Sequence, residues 1–190
     1  MMSWQNGGWL AQARILPSPN EEARPEGSAV SLVVIHNISL PPDQFGGEWV
    51  EDFFLNRLDP EAHPYFANIA GLRVSSHFYL RRRGEIVQFV DCDRRAWHAG
   101  QSAWQGRGNC NDYSVGIELE GCDSQPFEPA QYEALGELID ALRRRYPITA
   151  IAGHCHVAPG RKTDPGPHFD WARLRRRYPD LALPPAEEAF

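Results

Sequence analysis

Apolar positions along the chain follow two periods. Residues 29–35, Ala-Val-Ser-Leu-Val-Val-Ile, form a nearly unbroken β-branched run. A strand buried on both faces has that composition. The run ends on His36-Asn37, before Pro41-Pro42 and Gly46-Gly47, so His36 is expected where a core strand opens into a loop. Residues 48–58 carry Trp49, Val50, Phe53, Phe54 and Leu58 at helical spacing. Residues 74–80 and 85–90 read as two strands joined as a hairpin through Arg83-Gly84. Residues 113–120 alternate, with Val115, Ile117 and Leu119 on one face and Glu118 and Glu120 on the other. Of the two carboxylates, Glu120 is expected to face solvent.

The clearest helix spans 129–146, striped by Tyr132, Leu135, Leu138, Ile139 and Leu142 and stopped by Pro147. A short strand at 148–153 and a helix at 169–178 follow. Residues 17–28 are turn-rich and polar, giving an N-terminal arm over 1–28, and 181–190 is expected to fray. Strands interleaved with helices, plus one antiparallel hairpin, predict an α/β fold: one domain over 1–190, with a mixed central sheet flanked by helices. Leu-Arg-Arg-Arg-Tyr-Pro occurs at 142–147 and again at 174–179. We read both copies as helix C-termini, where arginine complements the macrodipole and proline ends the helix, rather than as a nucleic-acid patch.

Composition narrows the classes. The chain has 190 residues, 42% hydrophobic and 23% charged, with a formal net charge of −6. That is ordinary for a soluble domain, and the acidic balance argues against nucleic-acid binding. Four cysteines without CxxC spacing predict a reduced, cytoplasmic chain. The first residues lack a signal-peptide pattern and no apolar run is long enough to span a bilayer, so no membrane association is expected. A monomer is the expected state.

Chemistry concentrates in residues 153–167, which hold His154, Cys155, His156, Lys162 and Asp164 among three glycines and three prolines. That glycine and proline content predicts a rigid irregular loop leaving a strand. Any one of the seven histidines is more often structural than a ligand. The combination is more informative, since His36 and His154 each end a strand and Asp164 follows ten residues after His154. A hydrolytic zinc site wants three such ligands and an open position. His156 or Cys155 could replace His154, and spacing alone does not choose.

Several ordered motifs carry a resemblance. They are His36-Asn37-Ile38-Ser39-Leu40-Pro41-Pro42, Trp97-His98-Ala99-Gly100, residues 116–121, Gly153-His154-Cys155, Ala158-Pro159 and residues 161–166. Together they resemble the AmpD type of N-acetylmuramoyl-L-alanine amidase, a family of cytoplasmic peptidoglycan recycling, from about residue 8 to residue 171. The resemblance implies an amidase/peptidoglycan-recognition-protein-like fold, a Zn2+ cofactor and a 1,6-anhydro-muropeptide substrate. It implies His36, His154 and Asp164 as zinc ligands, Glu118 as the residue that activates water, and Lys162 as the oxyanion stabiliser. Arg161 then contacts substrate, with Asn37, Arg73 and Trp97 lining the groove. His156 stands where asparagine is common and is read as a neighbour of the site. His63, His77 and His98 are read as structural or as partners of the ligands. In this family the activity removes anhydromuropeptides, whose accumulation can signal β-lactamase induction. The competing expectations are a non-catalytic peptidoglycan-binding module and a zinc amidase acting on intact wall.

Overall fold

The computed structural model describes residues 1–185. Its centre is a six-stranded sheet in the order β1-β5-β4-β9-β3-β10. The strands are β1 (Arg14–Ile15), β3 (Leu32–Ile38), β4 (Phe78–Leu80), β5 (Ile86–Gln88), β9 (Ser114–Glu120) and β10 (Ala150–Gly153). All neighbours are parallel except the β4–β5 hairpin, so the mixed sheet expected from the sequence is present. The hairpin turns at Gly84, whose φ of +83° suits glycine. Two small ribbons add β2 (Glu21–Ala23) with β6 (Arg94–Ala96), and β7 (Ala103–Trp104) with β8 (Arg107–Gly108).

Helices cover both faces. Helix α2 (Pro129–Arg145) lays Leu135, Leu138, Ile139 and Leu142 against Val33, Ile35, Val115 and Ile117. Proline stands at its first turn, and the Gln131 side chain accepts from Glu128 N–H at 3.0 Å. The same Gln131 amide donates to Leu80 and Glu120 carbonyls, pinning helix to sheet. On the other face α1 (Trp49–Phe54) packs Phe53 and Phe54 against Tyr79, Val87 and Phe89. The single turn α3 (His154–Val157) follows β10 directly, and α4 (Trp171–Arg177) starts on Asp170, whose side chain accepts from Arg173 N–H. Both arginine triplets occupy last helical turns, where Arg143, Arg145 and Arg177 pair with Asp180, Asp93 and Asp140.

Several expectations need correcting. The residue 48–58 helix stops at Phe54, because Asn56 adopts φ +59°, a left-handed conformation that ends helices. The strand at 29–35 is shifted to Leu32–Ile38, so His36 and Asn37 lie within the ladder. The expected arm is woven into the molecule: β1 pairs with β5, β2 with β6, and Leu10 is fully buried. Of the tail expected to fray, Leu181 is buried and Ala182 bridges to Ala150, while 186–190 lie outside the described residues. The loop from 153 is not irregular throughout. Its residues 154–157 contain neither glycine nor proline, and Ala158 N–H closes one helical turn onto the His154 carbonyl at 2.9 Å. Glu120 is buried, not solvent-facing.

Candidate metal and catalytic site

Sheet register assembles the site. In the β3–β9 ladder His36 lies opposite Glu118, and in the β10–β3 ladder Gly153 lies opposite Ile35. His154, one residue past that pair, is therefore delivered beside His36. Asp164 returns because Cys155 N–H donates to the Asp164 carbonyl at 2.8 Å, folding the loop onto α3. The geometry brings together the three residues expected as ligands, His36, His154 and Asp164.

Their donor atoms form a small triangle. His36 Nδ1 and His154 Nδ1 are 3.0 Å apart, and Asp164 Oδ2 lies 3.1 Å from the first and 3.0 Å from the second. Donors on a tetrahedral ion with bonds of about 2.0–2.1 Å stand about 3.3–3.4 Å apart, a few tenths wider. His154 Nε2 lies 3.1 Å from the Ala99 carbonyl, which only accepts, so the His154 proton sits on Nε2 and its Nδ1 presents a lone pair. That lone pair faces a carboxylate oxygen, an arrangement that suits a shared cation. The donor set, two imidazoles and a carboxylate, fits a hydrolytic metal ion.

Electrostatics follow from burial. Burial holds His36 down at about 4, helped by His154 and opposed by Asp164. Burial alone would raise Asp164, but in the metal-free site imidazole N–H groups of His154 and His36 turned toward it would carry it well below the usual carboxylate range. Burial pushes Glu118 well above its ordinary value, Asp164 adds to the rise, and Lys162 works against it. Glu118 Oε1 is 3.9 Å from His36 Nδ1, while its buried Oε2 has no hydrogen-bond partner among the described residues. A desolvated carboxyl beside a metal site is suited to moving protons near neutrality.

Of the remaining expected residues, Asn37, Trp97 and Lys162 line a cleft of about 480 Å³, and Arg73 and Arg161 line a recess beside it. Leu40, Phe53, Phe54, Ile69, Leu72 and Val74 give the cleft an apolar wall. Lys162 is exposed and lines both this cleft and an adjoining recess with Arg73, Arg95 and Arg161. Trp97 also lines both, its indole N–H donating to Glu22 at 2.9 Å. Asn37 lies in the cleft but its amide is committed to Asp123 and the Pro165 carbonyl. One Arg161 nitrogen is committed too, donating to the Ala99 and Gln101 carbonyls at 2.7 Å. Arg73 is exposed and turns back on the Ala70 and Leu72 carbonyls. His156 is not in the donor triangle. The helical turn swings its ring edge-on to Trp171, and its Nδ1 accepts from Gly153 N–H.

Sequence reasoning missed the apolar wall from residues 69–74 and the Ala99 carbonyl, because neither announces itself by residue type. It also missed Arg24, whose half-buried guanidinium donates to the Cys92, Asn111, Asp112 and Ser114 carbonyls.

Comparison with known proteins gives the family. Residues 26–167 match the family model described as N-acetylmuramoyl-L-alanine amidase. The 1,6-anhydro-N-acetylmuramyl-L-alanine amidase AmpD of Citrobacter freundii is 58% identical over 170 residues, covering 88% of this chain and 91% of that one. The crystal structure of a selenomethionine AmpD derivative superimposes with a TM-score of 0.89 at 56% identity, covering 92% of this chain and 99% of that chain. AmiD from Escherichia coli, solved with anhydro-N-acetylmuramic acid-L-Ala-D-gamma-Glu-L-Lys, is 30% identical with a TM-score of 0.60. That match covers 98% of this chain and 68% of that one.

Proposed function

This chain belongs to the N-acetylmuramoyl-L-alanine amidase family, and from that premise we propose that it hydrolyses the amide joining the lactyl carbonyl of 1,6-anhydro-N-acetylmuramic acid to L-alanine. The reading is of a zinc-dependent, cytoplasmic, monomeric amidase of peptidoglycan recycling, one domain over residues 1–190, with no nucleic-acid or membrane partner. The observation that carries it is the donor triangle of His36, His154 and Asp164 with Glu118 beside it. Relatives named for the same reaction and solved with an anhydromuropeptide support the choice of substrate. No helix of the described residues is long and apolar enough to cross a membrane.

His36, His154 and Asp164 would hold Zn2+, which supplies a Lewis acid that acidifies water and polarises an amide carbonyl. Glu118 takes the proton from the attacking water and returns it to the departing L-alanine amine. Its desolvated carboxyl holds a proton more firmly than an exposed one, which suits the second transfer. Lys162, on the cleft wall, offers its ammonium to the carbonyl oxygen as charge develops there. The apolar wall excludes water from one side. On the other, Arg73 and Arg161 give the recess a positive charge suited to stem-peptide carboxylates, with Asn37 and Trp97 shaping the groove between.

The test is release of L-Ala-peptide from 1,6-anhydro-N-acetylmuramyl-tripeptide, followed by mass spectrometry, with intact sacculi as competing substrate. Fast cleavage of the anhydro compound by zinc-loaded protein is expected. Preference for sacculi would redirect the reading to wall hydrolysis. No cleavage of either by a folded, zinc-loaded chain would favour a binding module instead.

A further inference from the structure

We propose that His98 is the positioning residue that fixes His36 as an Nδ1 donor to the metal site, through a buried chain that ends on Ser114. This rests on the metal-site reading above.

His36 Nε2 lies 2.9 Å from His98 Nδ1, and His98 Nε2 lies 3.1 Å from Ser114 Oγ. The two rings meet at 90° with centroids 5.0 Å apart, so His98 meets His36 edge-on. His36 is 1% exposed, Ser114 0% and His98 9%, which leaves water little access to the chain. A neutral imidazole has one N–H and one lone pair, so protons along two linked rings must run in one direction. If Nδ1 of His36 is to give its lone pair to a cation, its proton must sit on Nε2. That proton needs an acceptor, and His98 Nδ1 is within reach. His98 then carries its own proton on Nε2 and donates it to the Ser114 hydroxyl.

Other features hold His98 in this role. Its backbone N–H and that of Ala99 donate to Asn111 Oδ1 at 3.2 and 2.9 Å, which fixes the segment. A Cβ at Gly116 would lie 2.5–2.7 Å from three atoms of the His98 ring, so the ring needs glycine on β9 to occupy this place. The next residue does the same for the second ligand, because the Ala99 carbonyl accepts from His154 Nε2 at 3.1 Å. Two consecutive residues of one loop therefore set the proton position on both histidines of the donor triangle. Partners of this kind fix the ring orientation and tautomer of metal-ligating histidine.

The experiment uses the full chain as wild type, His98→Asn and His98→Leu. Asn keeps an acceptor oxygen near the Nδ1 position, while Leu keeps bulk without one. Zinc affinity is read by chelator competition, and imidazole nitrogen NMR is recorded on the zinc-loaded wild type. Leu is expected to weaken zinc binding about 10–100-fold, Asn only about threefold, and the spectrum to place protons on Nε2 of both His36 and His98. Three results would overturn the proposal: a proton on His98 Nδ1 in the loaded wild type, a Leu variant with wild-type thermal midpoint and wild-type zinc affinity, or an Asn variant as weak as Leu. The wild-type spectrum decides even where the Leu variant does not fold. Failure of the wild type to bind zinc would remove the site reading and this one with it. Tight wild-type binding left unchanged by His98→Leu would remove only the role of His98.

Discussion

Glu118 and Glu120 sit two residues apart on β9, point to the same side of the strand and are both buried, yet their surroundings differ in kind. Glu120 is satisfied. Its Oε1 accepts from Gly46 N–H at 2.5 Å, its Oε2 accepts from Arg82 N–H at 2.9 Å, and Arg81 Nε stands 3.9 Å away. Glu118 has His36 and Asp164 for neighbours, and one oxygen has no partner among the described residues. Burial is common to both and distinguishes nothing. Partners decide that Glu120 ties two loops to the sheet while Glu118 is left able to exchange a proton.

The largest expected effect is on chemistry at the first carboxylate. Glu118→Ala should lower amidase turnover about 10²–10⁴-fold while zinc content, read by elemental analysis, stays at the wild-type level. Turnover retained in that variant would make the two glutamates equivalent and break the comparison.

The second carboxylate should register in stability. Glu120→Ala leaves two backbone N–H groups without their acceptor, while Arg81 keeps Glu51 at 3.3 Å, and should cost about 3 kcal/mol in urea unfolding. The turnover of the protein that remains folded should fall far less than that of Glu118→Ala.

A smaller effect has the opposite sign. The folded-state pKa of Glu118 is raised, so the folded chain binds more protons than the unfolded one once pH passes the usual carboxylate range. Stability is therefore lost as pH rises, and each unit of difference is worth about 1.4 kcal/mol. Metal-free Glu118→Gln should exceed metal-free wild type in stability at pH 8, and by less at pH 5. Equal urea midpoints at both pH values would contradict the desolvation argument.

The smallest effect belongs to the rim. Arg73→Ala removes an exposed cation that, among the described residues, bonds only its own loop carbonyls, and should raise KM less than about tenfold with kcat nearly unchanged. A loss in kcat comparable to that of Glu118→Ala would move Arg73 from groove lining into the chemistry.

The sequence by itself determined the local choices. The β-branched run before His36, the stripe of the long helix and the turn at Gly84 each follow from side-chain shape and backbone freedom within a few residues. The motif resemblance also named the donor set His36, His154 and Asp164, which residue spacing had left open against His156. Tertiary structure decided which strands are neighbours and in what register. The parallel pairing of β3 with β9 and β10 joins segments roughly 80 and 120 residues apart, and a hydrophobic pattern specifies which face is buried but not what lies beside it. For the same reason the burial of Glu120, the docking of residues 181–185 and the partnership of His98 with His36 were not legible. Each depends on an atom supplied from a distant part of the chain, and only the assembled sheet brings those atoms within hydrogen-bond reach.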